Sequence, residues 1–239
     1  MELGEAVSGI LYGVGLGPGD PELITRKAAR LIETARVIAY PTLAGAESFA
    51  RAIAADLIPE RADEIVIDVP MTVERGPAQL AYDAAAARIS EALGLGRDVV
   101  CLCEGDPLFY GSFMYLNARL RDQFQVEIVP GVTSLTACAA RARLPLAARN
   151  ERLTVLPGPL PEDELRARIA GAESVAVMKV GRHLSKIRTV IAELGLLDQA
   201  IYVERASLPS EHICTLAEAP DEAPYFSMIL LTKGANPWL

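Results

Sequence analysis

The strongest constraint on how this chain can fold is an alternation of two patterns. Short β-branched runs at Ile10 to Val14, Val37 to Tyr40, Ile65 to Val69, Val99 to Cys103 and Val126 to Val129 are bounded by Pro, Gly or charge. Helical patterns at Pro21 to Ala35, Glu47 to Ala55, Ala78 to Leu93 and Ser112 to Arg121 separate them. Short apolar runs of this kind suit parallel strands buried on both faces. With a helix between successive strands, they predict an open, mainly parallel, doubly wound α/β sheet.

Past Gly131 the pattern changes. A helical Ser134 to Arg143 leads to a strand at Leu153 to Leu156, a helix near Glu162 to Ala170, a strand at Ser174 to Lys179 and a helix from Leu184 to Leu194. Strands at Ala200 to Glu204 and Tyr225 to Leu231 follow, and the lack of a helix directly after Glu204 predicts an α+β domain with a mixed sheet. Two domains, 1–131 and 132–239, are therefore expected. A chain of 239 residues that is 51% hydrophobic can fill two modest cores. Its low aromatic content, 5%, suits helices covering sheets better than a β-sandwich. There is no internal repeat, low-complexity tract or long linker.

The formal net charge of -8 disfavours nucleic acid and anionic lipid as partners, and obliges any polyanionic ligand to find a local basic pocket. The opening segment Met1 to Gly17 has no basic leader, and its apolar stretch is too short for a signal peptide or membrane span. A cytoplasmic protein is expected. Cys101, Cys103, Cys138 and Cys214 are too scattered for a disulfide scaffold and read as reduced thiols. Strand alternation sends Cys101 and Cys103 to one face, where packing is their role. His183 and His212 have no partner at metal-ligand spacing, so no metal is expected.

Two loops carry the functional signal. Gly13-Val14-Gly15-Leu16-Gly17-Pro18-Gly19-Asp20 follows a strand and opens a helix, yet it fails the dinucleotide fingerprint. Counted from Gly13, Pro18 stands where the third glycine belongs; counted from Gly15, Asp20 does. The second strand also ends Tyr40-Pro41, without the carboxylate that would hold a ribose. Asp20 as helix cap and Pro21 at the first helical position account for the end of the loop. They leave the glycines unexplained, and bare backbone lets a ligand lie against it. In the second loop, Cys103-Glu104-Gly105-Asp106-Pro107-Leu108-Phe109-Tyr110-Gly111-Ser112, a buried strand stops at two carboxylates and a glycine. Ligands of open α/β sheets bind at the carboxyl ends of strands. A plain turn, with Asp106 as a helix cap, is the alternative.

GVGLGPGDPELIT, EGDPLFYGSFMYL, VPGVTS, LPG, the Met178-Lys179 pair after a strand and Glu204-Arg205-Ala206-Ser207 stand in the order and spacing of the tetrapyrrole (corrin/porphyrin) methylases, which the chain resembles over nearly its whole length. The resemblance implies a two-domain homodimer holding S-adenosylmethionine in a cleft between its domains and releasing S-adenosylhomocysteine. It implies cofactor contacts from Pro18, Gly105, Asp106, Tyr110, Thr133 and Ser134. From the second domain it implies Met178, the Arg205-Ala206 turn and the strand around Met228. The Ser112-Phe113-Met114-Tyr115 continuation is similar to the branch that methylates C20 of precorrin-2 on the route to cobalamin. Cobalt-precorrin-2, another corrin carbon, and diphthine synthesis remain open within the family. A non-catalytic S-adenosylmethionine sensor is the rival outside catalysis.

A tetrapyrrole polycarboxylate needs cations. Arg141, Arg143, Arg149 and Arg152 enclose one acid, Glu151, while Lys179, Arg182, Lys186 and Arg188 enclose none. Lys179, Arg182 and Arg149 are the candidates for gripping the small-molecule substrate; a solvated helix face is the alternative for each. Methyl transfer to an electron-rich meso carbon needs in-line alignment and exclusion of water more than a nucleophile on the protein. A base for the C20 proton would come from Asp106 or Glu104, unless Asp106 orients the cofactor instead.

Overall fold

In a computed structural model of the protein, residues 8–43, 45–70 and 75–233 are described. Residues 1–7, where the sequence shows no basic leader, therefore lie outside the described residues. The chain divides into two compact units, Met1–Thr133 and Ser134–Leu239.

In the first unit, five strands are β1 (Leu11–Gly15), β2 (Val37–Leu43), β3 (Asp63–Val69), β4 (Val99–Cys103) and β5 (Val126–Val129). They form one wholly parallel sheet in the order β3-β2-β4-β1-β5. Helices α1 (Arg26–Glu33) and α2 (Phe49–Ile53) cover one face, where Val14, Leu16, Ile38, Tyr40, Val100 and Leu102 meet Ala28, Ile32 and Ile53. Helices α3 (Arg75–Gly94) and α4 (Phe113–Leu120) cover the other, over Leu11, Ala39, Ile65, Ile67 and Val99. Cys101 and Cys103 both belong to this second face, as alternation requires. The sheet is thus wound on both sides, and its strands' carboxyl ends share one edge.

One expectation is corrected at the first helix. The stretch from Pro21 to Ala35 is not continuous. Asp20 caps only a single 3-10 turn, Pro21–Leu23, accepting from the Glu22 N–H at 2.9 Å. The α-helix starts afresh at Arg26, with the Thr25 hydroxyl accepting from the Ala28 N–H. Two capping signals lie five residues apart, and the backbone uses both.

The second unit contains α5 (Ser134–Ala142), β6 (Leu153–Pro157), α6 (Glu162–Gly171), β7 (Ser174–Met178), α7 (Leu184–Glu193), β8 (Ala200–Glu204), β9 (His212–Thr215) and β10 (Ser227–Thr232). Its sheet runs β6-β7-β10-β8-β9, with β6 parallel to β7 and every other pairing antiparallel. The mixed sheet expected of this half is present. His212 opens β9, an edge strand paired with β8 and not marked in the sequence pattern. Leu165 and Ile169 from α6 and Ile187, Val190 and Ile191 from α7 pack on Val175, Val177, Tyr202 and Ile229.

Candidate functional site

The sheet of the first unit ends in a knot of bare backbone. Gly17 and Gly105 exchange hydrogen bonds, Gly105 N–H to Gly17 carbonyl at 2.8 Å and Gly17 N–H to Gly105 carbonyl at 3.2 Å, zipping the glycine loop to the acidic loop. Gly131, just past β5, closes the third side. A Cβ built on Gly131 would lie 2.1 Å from the Gly105 carbonyl oxygen, and one on Gly15 would lie 2.5 Å from the Gly131 nitrogen. Both contacts are backbone and cannot swing aside, so β1, β4 and β5 can meet only through glycine. Further down β1, a Cβ on Gly13 would strike the Phe113 ring at 2.4 Å. The Phe113 of the Ser-Phe-Met-Tyr run is therefore the core residue that seats α4 on β1.

Asp106 ties this knot. Its Oδ1 accepts the N–H groups of Leu108 at 2.9 Å and Phe109 at 3.1 Å, and its Oδ2 accepts that of Gly131 at 3.1 Å. The first two bonds shape the turn that delivers Tyr110, and the third fixes the strand end that leads to Thr133. The carboxylate is thus a brace between two segments singled out as cofactor contacts. Glu104 is its opposite. It is half-buried and, among the described residues, has no hydrogen-bond or ion-pair partner, and burial pushes its carboxyl above the ordinary 4.5.

In the second unit Met178, Lys179, Arg182, Arg205, Ala206 and Met228 gather at one end of the sheet. The Gly158 N–H bonds the Met178 carbonyl at 2.7 Å, and a Cβ on Gly158 would lie 2.7 Å from the Lys179 carbonyl, which explains the Leu-Pro-Gly motif. The Arg205 N–H bonds the Phe226 carbonyl at 2.8 Å, and the Ser227 hydroxyl accepts from the Gly181 N–H at 3.4 Å. Pairing of β10 with β8 begins at Ser227, but with β7 only at Ile229. Ser227 and Met228 therefore have ladder pairing on one side alone. Buried Tyr202 donates to Glu204 at 2.6 Å, and Glu204 also pairs with Arg205 at 3.2 Å, anchoring the Arg205-Ala206 turn. Burial, then this carboxylate, push the Tyr202 hydroxyl far up, so it stays protonated and donates to Glu204.

Backbone strain falls on the same residues. Among the described residues, non-glycine positions with positive φ are Tyr110 (58°), Arg143 (54°), Arg149 (49°), Lys179 (55°), Arg205 (48°) and Ser207 (71°). Four of these six were singled out from the sequence as cofactor or substrate contacts. Each such conformation costs roughly 1–3 kcal/mol and persists where surrounding structure imposes it, as at functional sites.

The cations are sorted by their partners. Arg141 is engaged by Glu211, its Nε 2.8 and 2.9 Å from the two carboxylate oxygens, and this contact holds the Glu211 carboxyl below its usual range. Arg152 pairs with Glu173, Lys186 donates to the Leu160 carbonyl, and Arg188 donates to the Ala219 and Pro220 carbonyls. Lys179 and Arg182, three positions apart, both stand exposed beyond β7. The Arg182 Nε is 3.5 Å from Nε2 of His183, whose imidazole is pushed down by burial and then by the Lys186 and Arg182 charges. Arg149 is not brought to them. It lies in the turn closed by the Ala148 N–H on Glu151, three residues before Arg152, whose backbone joins Ser174 at the opposite end of β7. At about 3.3 Å per residue, the strand separates the two ends by roughly 13 Å.

The sequence motifs contain Gly131 and Glu204 but give no role to either, and Ser227 stands in none of them. The Val-Pro-Gly motif signalled Gly131, but its partner Asp106 stands 25 positions away. A single acid before Arg205 gave no sign that a tyrosine and an arginine would share it. Among the described residues no group of three His, Cys, Asp or Glu side chains is placed to hold a metal ion, and no helix is long and apolar enough to cross a membrane.

Comparison with known proteins identifies the family. The model of the family described as Tetrapyrrole (Corrin/Porphyrin) Methylases matches residues 10–220. A precorrin-2 C(20)-methyltransferase of Sinorhizobium sp. is 44% identical over 232 residues, spanning 93% of this chain and 95% of its own length. A cobalt-precorrin-2 C(20)-methyltransferase of Salmonella typhimurium is 32% identical over 231 residues, spanning 95% and 98%. A crystal structure of uroporphyrin-III C-methyltransferase from Thermus thermophilus, complexed with S-adenosyl homocysteine, superposes with a TM-score of 0.68 at 28% identity, covering 94% of this chain and 92% of that one.

Proposed function

Because this chain belongs to the tetrapyrrole (corrin/porphyrin) methylase family, we propose that it transfers a methyl group from S-adenosylmethionine to C20 of precorrin-2, giving precorrin-3A on the route to cobalamin. The observation that carries the substrate assignment is the 44% identity, over nearly both full lengths, to a relative named for that reaction. Similarity to the relative named for the cobalt-bearing substrate is lower, 32%, which favours the metal-free macrocycle.

The donor sets of the two units suit S-adenosylmethionine. An adenine edge needs a backbone donor and acceptor in line, and Ser227 and Met228 lack ladder partners on the β7 side. Nearby, the Arg205-Ala206 turn is held by Glu204, and Met178 ends β7. In the first unit Pro18, Gly105, Tyr110 and Thr133 stand on loops that Asp106 and the glycine bridge hold in place, and Ser134 begins α5. We assign these residues to the cofactor. When bound, it supplies an electrophilic methyl group. Asp106 then works by position, fixing the loop through three backbone N–H groups. Lys179 and Arg182 are assigned to the substrate carboxylates; Arg149, at the other end of the second sheet, would reach only a different edge of the macrocycle. We assign it to the cytoplasm and read it as a homodimer; sedimentation of the purified protein tests the dimer.

The test of the activity is to incubate the purified chain with S-adenosylmethionine and either precorrin-2 or its cobalt complex. One methyl gained per macrocycle and one S-adenosylhomocysteine released are expected with precorrin-2. Tight cofactor binding with no release on either macrocycle would make the protein a sensor instead.

A further inference from the structure

We propose that Glu104 is the catalytic proton acceptor of this reaction, taking the hydrogen displaced from the C20 carbon as it gains its methyl group. The proposal rests on the methylase reading above and deepens it by naming the base.

Three observations carry it. First, Glu104 directly follows β4, which lies between β2 and β1, so it stands at the carboxyl-terminal edge of the sheet where open α/β sheets bind ligands. Second, it is half-buried, yet no described residue hydrogen-bonds or pairs with its carboxylate. Other acids at strand ends and turns are committed: Asp106 to three backbone N–H groups, Glu204 to Tyr202 and Arg205, Glu211 to Arg141 and Ser207. Its oxygens keep contact with solvent and are committed to no partner, so the carboxylate is free to accept a proton from a bound substrate and to return it to water. Third, burial raises its proton affinity, the direction wanted in a base that must hold a proton during turnover and release it afterwards.

Its surroundings leave that affinity intact. The neighbouring titratable groups are Cys103, whose thiol is raised by its hydrogen bond with Cys101, by burial and, least, by the Glu104 charge, and Asp106, which is turned toward backbone N–H groups. No described cation lies close enough to lower it. Asp106 is the poorer candidate, because a proton on its carboxylate would weaken the three backbone N–H contacts that hold the loop.

The step balances. The C20 carbon gives an electron pair to the new carbon–carbon bond while the donor's carbon–sulfur bond breaks with its pair left on sulfur. The macrocycle, now cationic, returns to neutrality as the C20 hydrogen leaves as a proton to the Glu104 carboxylate, its bonding pair restoring the conjugated system. Glu104 then passes that proton to solvent. No oxidant, reductant or further reactant is needed.

The test compares the full-length wild-type chain with E104Q and E104A, using precorrin-2 and S-adenosylmethionine. Turnover across pH and calorimetric binding of S-adenosylhomocysteine are both measured. E104Q is expected to lower kcat by about 100-fold or more, the usual worth of a general base, with homocysteine-product binding within about twofold of wild type. The fall of kcat on the acid side of the wild-type pH profile should vanish, and added formate should partly restore E104A. E104Q that keeps kcat within about threefold, or that loses product binding, would overturn the assignment: the first shows no base is needed there, the second that Glu104 is structural. A wild-type chain that binds S-adenosylhomocysteine but makes no C20-methylated product instead sinks the substrate reading, and the proposed base with it.

Discussion

Replacing Asp106 by asparagine separates a brace from a base, because the two carboxylate oxygens do different work. Oδ1 accepts from Leu108 and Phe109 within the loop, and Oδ2 accepts from Gly131 beyond β5. An asparagine can keep its carbonyl on the first pair, but its amide nitrogen then points a donor at the Gly131 N–H. Hydrogen bonds to charged groups contribute about 1.5–3 kcal/mol, and the side chain is only half-buried, so water offsets part of each loss. Asp106→Asn is therefore expected to destabilise the protein by about 2 kcal/mol and Asp106→Ala, which forfeits all three bonds, by about 3–4 kcal/mol. For a chain of this size the asparagine variant should melt roughly 4–8 °C lower. Far-UV circular dichroism at room temperature should match wild type for both, since the strands and helices remain. Calorimetry should show S-adenosylhomocysteine binding weakened about tenfold or more, because the loop carrying Tyr110 and the turn before Thr133 are no longer tied together. Wild-type melting and product binding in Asp106→Asn would refute the brace.

Three other perturbations have defined outcomes. Glu104 has a folded-state proton affinity above its unfolded value, so the native state binds more protons once the pH passes the ordinary carboxylate range, and stability falls as pH rises from there through the folded pKa; E104Q should melt no lower than wild type near pH 7 and lose its advantage toward pH 4. Lys179→Asn keeps a residue tolerant of the left-handed backbone at φ 55°, so melting should be nearly unchanged while the KM for precorrin-2 rises several-fold. Gly131→Ala places a Cβ 2.1 Å from a backbone carbonyl and should cost about 3 kcal/mol or more, read as a shifted urea midpoint or as loss of soluble protein.

Much of the fold could be read from periodicity because buried parallel strands and their helices are locally encoded. Val99–Cys103, Val126–Val129 and Ala200–Glu204 coincide with the structure to the residue. What was missed has local causes. β9 is a four-residue edge strand whose first residue, His212, is exposed, so it carries no apolar run to recognise. The break before Arg26 was hidden because Asp20-Pro21 is a genuine cap, satisfied by a shorter turn than expected. At the site, the loops were legible because glycines, prolines and acids mark strand ends. The division of labour within them was not. Asp106 is a brace only because Gly131 arrives from β5, and Arg141 is withdrawn from substrate duty by Glu211, 70 positions on. Arg149 and Lys179 each carry left-handed backbone, but only the sheet's register shows that they stand at opposite ends of β7.

The most direct measurement uses S-adenosylmethionine carrying a 13C methyl group, the purified chain and precorrin-2, with the product examined by NMR. A single enriched methyl resonance coupled to the C20 meso carbon is expected. A label on any other carbon of the macrocycle, or none on the macrocycle at all, would contradict the account.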